Sequence, residues 1–367
     1  MITPPPLGSI EKVLVRGVNW IGDTILTLPA IQGIKKLMPR ARVSVLAKQH
    51  LCALYRNDPG VDEVIPLPSG NGVALLKEES ELIRRLKSER YDLAMIFPRS
   101  PRAALMPYRG GIRYRLGYAC NGRGILLTHA LPETAQLLRC HQADYYYHLA
   151  QYLGDCGARE LPRLHIGGDD AAWAESYCDE AGFTRNHALI AINPGSTYGP
   201  AKCWPPGRYI ELARRLISSP RNRLLLVGGA DNARLIEYMF LSLNRRAACA
   251  VGKDLMRLAA LLKRCGLLIT NDTGPMHMAA AAGTPVIALF GSTDPVTTSP
   301  LGPDSRVIRR QTDCSPCLRR RCPRDHHCME ALSVDEVEAV VLEQMSSYED
   351  ERRNRLAATP MGTSSGA

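Results

Sequence analysis

Short apolar runs alternate with amphipathic stretches along most of the chain. Residues 13–15 have the pattern of a buried strand, and a loop follows over 16–22. A helical pattern then runs from 24 to 37, with Leu26, Ile31, Ile34 and Leu37 on one face and Pro39 ending it. Residues 43–46 read as the next buried strand, so the chain opens with a βαβ unit. Further strand-like runs at 61–66 and 93–97 flank a charged helix over 78–87. Apolar runs separated by amphipathic helices predict a parallel sheet covered on both faces.

The pattern then restarts. Strands are expected at 188–192, 223–227, 267–270 and 285–290, and helices at 208–217, 232–240, 255–263 and 276–282. The segment 161–170, with Pro162 and Gly167–Gly168, reads as a linker, and 171–181 as a helix leading into the second unit. The expected fold class is therefore α/β, with two facing Rossmann-like domains over 1–165 and 166–333. A last helix begins at 334 within a segment 334–350, and the tail 351–367, ending TPMGTSSGA, has a disordered composition. Two such domains place ligands in the cleft outside the carboxyl ends of their strands.

A length of 367 residues suits two α/β units, and 45% hydrophobic with 22% charged residues is a globular composition. The net charge of +10 favours an acidic partner without choosing which. No apolar stretch is long enough to span a bilayer, and the N-terminus lacks a secretory pattern. The expectation is a cytoplasmic protein whose 12 cysteines serve as thiols or metal ligands rather than disulfides.

Three loops carry candidate chemistry. After the expected strand at 267–270, Asn271–Asp272–Thr273–Gly274 leads into a helix with Pro275 in its first turn. Glycine admits a ligand to the backbone, and a helix N-terminus offers unpaired N–H groups, which suits a diphosphate. His277, one turn further, is placed to face the same anion. The plainer reading has Asp272 or Thr273 merely capping the helix. The segment INPGSTYGPAKCWPPGRY (192–209) offers the hydroxyls of Ser196 and Thr197 and the point charge of Lys202. It is not a P-loop, and no G-x-G-x-x-G turn opens a helix, which disfavours a dinucleotide oxidoreductase. Trp204 and Tyr209 read as packing residues.

In the first domain the loop RGVNWIGDTILTLPA places Gly22 for close approach and Asp23 at the helix start. Asp23 is either a general base for an acceptor hydroxyl or a simple cap. Arg99, Arg102, Arg109, Arg113, Arg115 and Arg123 then crowd one stretch. Arg99 and Arg102 directly follow the expected strand 93–97 and suit an anionic acceptor; a solvated basic surface is the plainer alternative. Near the C-terminus, Cys314, Cys317, Cys322 and Cys328, with His326 and His327, form a C-x2-C-x4-C-x5-C cluster. Four thiols in that span suit a structural metal or a redox role, without forming the two spaced C-x-x-C pairs of a zinc ribbon.

Together, NWIGDTILTLPAI, NPGSTYGPAKCWP and TNDTGPMHMAAAAGTPVIALFG resemble, in order, the motifs of glycosyltransferase family nine, the bacterial lipopolysaccharide heptosyltransferases. The similarity extends over about 12–345, and the strict NWIGD form is nearer to the second heptosyltransferase type than to the first. The resemblance implies the two-domain GT-B architecture, with acceptor on the N-terminal domain and ADP-heptose on the C-terminal one. It implies inverting, metal-independent transfer to the anionic heptose–Kdo inner core of lipopolysaccharide, with no cofactor. Carried onto this chain, Asp23 matches the base. Ser196, Thr197 and Lys202 match the donor-phosphate loop, and Asp272, Thr273, Gly274 and His277 the second donor turn. Gly22, Arg99 and Arg102 are left for the acceptor, with no metal ligands. Gly228–Gly229 and Lys253 are candidates by position for the adenine and ribose. Peripheral contact with the inner membrane surface fits such an acceptor, and nucleic acid is not an expected partner. Another nucleotide-sugar transferase, a two-domain nucleotide-sugar epimerase and a non-catalytic binder of anionic glycans are the competing readings.

Overall fold

The computed structural model describes residues 3–184, 186–302 and 304–358, with side chains described as far as Ser347. Two six-stranded sheets form its framework, and every strand pair in them is parallel. The first sheet holds β1 (Lys12–Arg16), β2 (Arg42–Ala47), β3 (Glu63–Pro66), β4 (Leu93–Ile96), β5 (Tyr114–Tyr118) and β6 (His129–Leu131), in the order β3-β2-β1-β4-β5-β6. The second holds β7 (Ala188–Asn193), β8 (Asn222–Gly228), β9 (Ala248–Val251), β10 (Leu267–Asn271), β11 (Val286–Phe290) and β12 (Ser305–Arg309). Its order, β12-β11-β10-β7-β8-β9, repeats the topology of the first.

In this topology the strand order reverses between β1 and β4, and again between β7 and β10. Connections leaving such neighbours go to opposite faces and open a crevice at the strand ends. The three motif loops follow β1, β7 and β10, so the topology delivers all of them to the two crevices.

The central strands are buried on both sides. Val13 and Val15 face a core with Ile25, Leu28 and Leu149, while Leu14 faces another with Leu82, Leu86 and Ala104. That is why these strands read as continuous apolar runs rather than alternating ones.

Four strands differ from the sequence expectation by being absent from it: β5, β6, β9 and β12. Three of these are sheet edges, and β5 and β12 carry arginines among half-buried positions. The helices Pro101–Arg109 and Gln142–Leu153 are likewise absent from the sequence expectation. The helix expected from 24 begins at Ile21 and passes through Pro29 without a break. It is buried nearly all round from Thr24 to Ile31, rather than along one face. The helix Gly168–Glu180 starts inside the expected linker. The last helix, Val334–Ala358, continues through residue 351, where order was expected to end; residues 359–367 lie outside the described residues.

Helix Ile21–Leu37 is buried because it lies between the first sheet, helix Gln142–Leu153 and helix Gly274–Ala282 of the second half. A helix apolar on every side needs such surroundings. Its N-terminus meets that of helix Gly274–Ala282 through two glycines. A Cβ on Gly22 would lie 2.6 Å from His277 Cδ2, and a Cβ on Gly274 would lie 2.8 Å from Ile21 Cβ. Each glycine makes room for a side chain of the other half.

Gly274→Ala therefore overpacks this contact and is expected to cost about 1–3 kcal/mol in thermal or denaturant unfolding. Gly207→Ala, in helix Pro206–Leu216 with open space around its Cα, is the contrasting substitution and should be neutral or stabilising by about 0.5 kcal/mol. Equal effects from the two changes would show that the contact is loose.

Candidate active site

A cavity of about 780 Å³ lies between the two halves, at the carboxyl ends of both sheets. From the first half it is lined by Asn19, Gly22, Asp23, Lys48 and His50 among others. From the second come Ser196, Thr197, Lys202, Gly228, Gly229, Lys253, Asp272, Thr273, Gly274 and His277. All but two of the expected site residues are thus brought to one volume. A second, apolar hollow between helix Gly168–Glu180, helix Ala233–Ser242 and the β9 edge has Glu180 and Glu237 as its charged lining residues, with Tyr177 and Cys249 beside them.

The second half builds its side of the cleft by stitching together the loops after β7 and β10. Asn193 Nδ2 donates to Thr270 Oγ1 at 3.1 Å and to Thr273 Oγ1 at 2.9 Å, and Asn271 Nδ2 donates to the Pro194 carbonyl at 2.8 Å. Asn271 Oδ1 accepts from the Trp204 backbone N–H and from the Tyr209 hydroxyl. Trp204 and Tyr209 are fully buried and meet edge to face, so the packing role expected of them holds. Through Asn271 they also fix the residue preceding Asp272.

Lys202 Nζ lies 2.6 Å from Asp272 Oδ2 in a largely buried pair, and 4.7 Å from the centre of the Tyr198 ring. The ammonium is held in the cleft by a carboxylate before any ligand arrives. Thr273 is the N-cap residue of helix Gly274–Ala282 and makes no side-chain cap hydrogen bond. Capping therefore does not account for Asp272 and Thr273, and first-turn N–H groups remain available to an anion. Thr197 Oγ1 is engaged with Asp231 at 2.9 Å.

His277 is buried, and burial lowers its pKa to about 4, against the opposing pull of Asp272. At neutral pH it is an uncharged imidazole, with a hydrogen bond rather than a charge to offer. Its Nδ1 and the Oδ1 of Asn19 are buried without hydrogen-bond partners, both on residues that line the cavity.

Asp23 does not cap its helix. The N-cap residue is Trp20, without a side-chain cap bond, and Asp23 stands in the first turn. Its Oδ1 accepts from the Tyr146 hydroxyl at 3.4 Å. Burial raises its pKa to about 6; the Tyr146 hydrogen bond opposes this, Asp272 adds to it and Lys202 counters. A carboxylate poised near neutrality at a cleft wall suits proton abstraction.

Arg99 and Arg102 are outside the cavity lining. Arg99 pairs with Glu133 at 2.6 Å, and Arg102 with Glu79 at 2.5 Å. Nor is the arginine stretch one solvated surface: Arg123 is fully buried and spends its guanidinium on the carbonyls of Tyr118 and Pro98. Lys48 and His50, after β2, line the cleft instead and were missed because a lone lysine and histidine beyond a strand carry no motif. Tyr146 was missed with its helix.

All 12 cysteines are free thiols. Among the described residues no three His, Cys, Asp or Glu side chains are grouped to hold a metal ion. Burial raises the Cys328 pKa, and Cys314, Cys322 and Cys317 add to the rise. Their segment braces the Lys202 loop. The Leu318 carbonyl accepts from Tyr198 at 2.8 Å, the Arg320 carbonyl from Ala201 N–H at 3.1 Å, and His326 Nε2 lies 3.0 Å from the Ala201 carbonyl.

The chain matches a known group of enzymes. The model of glycosyltransferase family 9 (heptosyltransferase) matches residues 80–327. Lipopolysaccharide heptosyltransferase 2 of Salmonella typhimurium is 32% identical over 312 residues, covering 81% of this chain and 88% of that one. The structure of Escherichia coli ADP-heptose lipopolysaccharide heptosyltransferase II superposes with a TM-score of 0.78 at 25% identity, covering 92% and 99% of the two chains. A family 9 glycosyltransferase of Veillonella parvula gives 0.80 at 22% identity, covering 94% and 99%. With two facing Rossmann-like domains of the GT-B type and a charged cleft between them, the chain is a glycosyltransferase belonging to family 9.

Proposed function

We propose that this enzyme transfers a heptose from ADP-heptose to the heptose–Kdo inner core of lipopolysaccharide, with inversion and with Asp23 as general base. The observation that carries the mechanism is the juxtaposition of Asp23, from one half, with the Lys202–Asp272 pair of the other in a single cavity. The names of the relatives in Salmonella and Escherichia coli support ADP-heptose as donor and lipopolysaccharide as acceptor, and the heptose–Kdo inner core is the acceptor that the sequence resemblance implies.

The acceptor hydroxyl gives its proton to Asp23 as its oxygen bonds to the anomeric carbon. The bond from that carbon to the phosphate oxygen breaks, and its electron pair leaves with ADP. Lys202, Ser196, Thr197 and the N–H groups around Thr273–Gly274 stabilise the departing charge. His277, being neutral, suits a sugar hydroxyl better than the diphosphate. Gly228, Gly229 and Lys253 lie beyond β8 and β9, where a nucleoside extends in this topology. The C-terminal domain is thus the donor side and the N-terminal domain the acceptor side. There Gly22, Lys48 and His50 line the wall, and Arg99 and Arg102 reach only acceptor parts outside the cavity. No helix among the described residues is long and apolar enough to cross a membrane, so approach to a lipid-anchored acceptor would be peripheral.

A transfer assay with ADP-heptose against UDP- and GDP-sugars, in chelator, on a heptose-bearing lipid A core acceptor tests the assignment. Turnover only with ADP-heptose supports it; preference for another donor overturns it. Asp23→Asn should lower turnover by about 10²–10⁴. The same change should stabilise the fold at alkaline pH. The folded pKa of Asp23, about 6, exceeds its ordinary 3.8, so stability falls as pH rises through that window. Removing the charge should recover about 1–3 kcal/mol at pH 8 and nothing below pH 4, measured by unfolding at both values. Lys202→Ala should raise the donor Kd about 10–100-fold in calorimetry while leaving acceptor binding unchanged; unaltered donor affinity would remove Lys202 from the site.

A further inference from the structure

We infer that Tyr146 is a positioning residue for the Asp23 carboxylate, occupying Oδ1 so that Oδ2 is the oxygen that receives the acceptor's proton. This rests on Asp23 being the base. The Tyr146–Oδ1 distance of 3.4 Å is long for a hydrogen bond, as such contacts often are before substrate binds.

The tyrosine is well fixed. Its ring packs edge to face on Phe97, the residue after β4, at 5.5 Å, and on Tyr145 at 5.4 Å. Tyr145 donates to Glu133 at 2.6 Å, and its carbonyl accepts from Tyr118 at 2.8 Å. At the start of the same helix His141 Nε2 reaches across to the Ser299 carbonyl at 3.0 Å, so helix Gln142–Leu153 is tied to the second half as well. Glu133 also pairs with Arg99. The arginine singled out in the sequence therefore connects to the catalytic wall through Glu133 and Tyr145.

The groups around Asp23 define what Tyr146 can do. Tyr55 approaches from helix Ala53–Arg56, and Asp272 and Lys202 face Asp23 from the second half. His277 packs against the neighbouring Gly22, with His141 near it. Asp272 disfavours the Asp23 carboxylate and Lys202 favours it; Tyr146 supplies the hydrogen bond. Burial and the Asp23 charge push the Tyr146 hydroxyl well above its ordinary range, so it keeps its proton and donates throughout. Only the acceptor's proton moves, to Oδ2, while the Oδ1 hydrogen bond persists.

Tyr146→Phe keeps the ring and removes the donor. Its acid limb in the pH profile of kcat/KM should move up by about 0.5–1 pH unit, with most activity recovered near pH 8.5. Asp23→Asn, measured beside it, should lose transfer at every pH. If Tyr146→Phe lowers the melting temperature or the rate uniformly and leaves the limb in place, the tyrosine only packs and the inference is overturned. If Asp23→Asn remains active, the base assignment itself fails, whatever Tyr146 does.

Discussion

The contact between the starts of helices Ile21–Leu37 and Gly274–Ala282 sets the geometry on which the rest of the site depends. Gly22 lies against His277, and Gly274 against Ile21, at separations that leave no room for a Cβ on either. Van der Waals contact is steep, so this packing fixes the position of Asp23 relative to Asp272 and Lys202 more closely than a flexible hinge would. Two helix N-termini also converge there, and their positive ends suit both the carboxylates already present and an arriving anion. The glycines at first suggest ligand approach to the backbone; in the fold they let one half approach the other.

Around that contact several charged and titratable groups are brought together. Two carboxylates, Asp23 and Asp272, feel the charge of one largely buried ammonium, Lys202. Asp272 pairs with Lys202 directly, and Asp23 is left with a tyrosine hydroxyl and a raised pKa. Similar residues thus take different roles because their surroundings differ. The His277 ring, made neutral by burial, adds a polar group without adding charge. In the proposed reaction an incoming diphosphate would give Lys202 a second anionic partner, with Asp272 already pairing the ammonium.

The cysteine-rich segment has its clearest part in support of this arrangement. Its backbone receives hydrogen bonds from the loop that carries Lys202, and Arg320 stands 5.2 Å from the centre of the Tyr198 ring that Lys202 also contacts. Cys328 is buried, and a Cβ on Gly291 would lie 3.0 Å from its Sγ. The spacing of the cysteines drew attention to the thiols, whereas the contacts with the donor loop are made by the residues between them.

What the sequence determined is what local pattern can encode. Buried central strands such as β1, β4, β7 and β10 are continuous apolar runs because both their faces are covered, and the loops after β1, β7 and β10 carry recognisable polar residues. The edge strands β6, β9 and β12 and the half-buried β5 are held by their neighbours rather than by their own composition, so local pattern did not mark them. Tertiary structure alone decided which loops meet. Asp23, Tyr146, Lys202 and Asp272 are far apart along the chain and are joined by the reversal of strand order in each sheet. It also turned Arg99 and Arg102 toward carboxylates outside the cavity and brought Lys48 and His50 into it. Burial, a property of the whole fold, then set the protonation of Asp23 and His277, which no spacing in the sequence records.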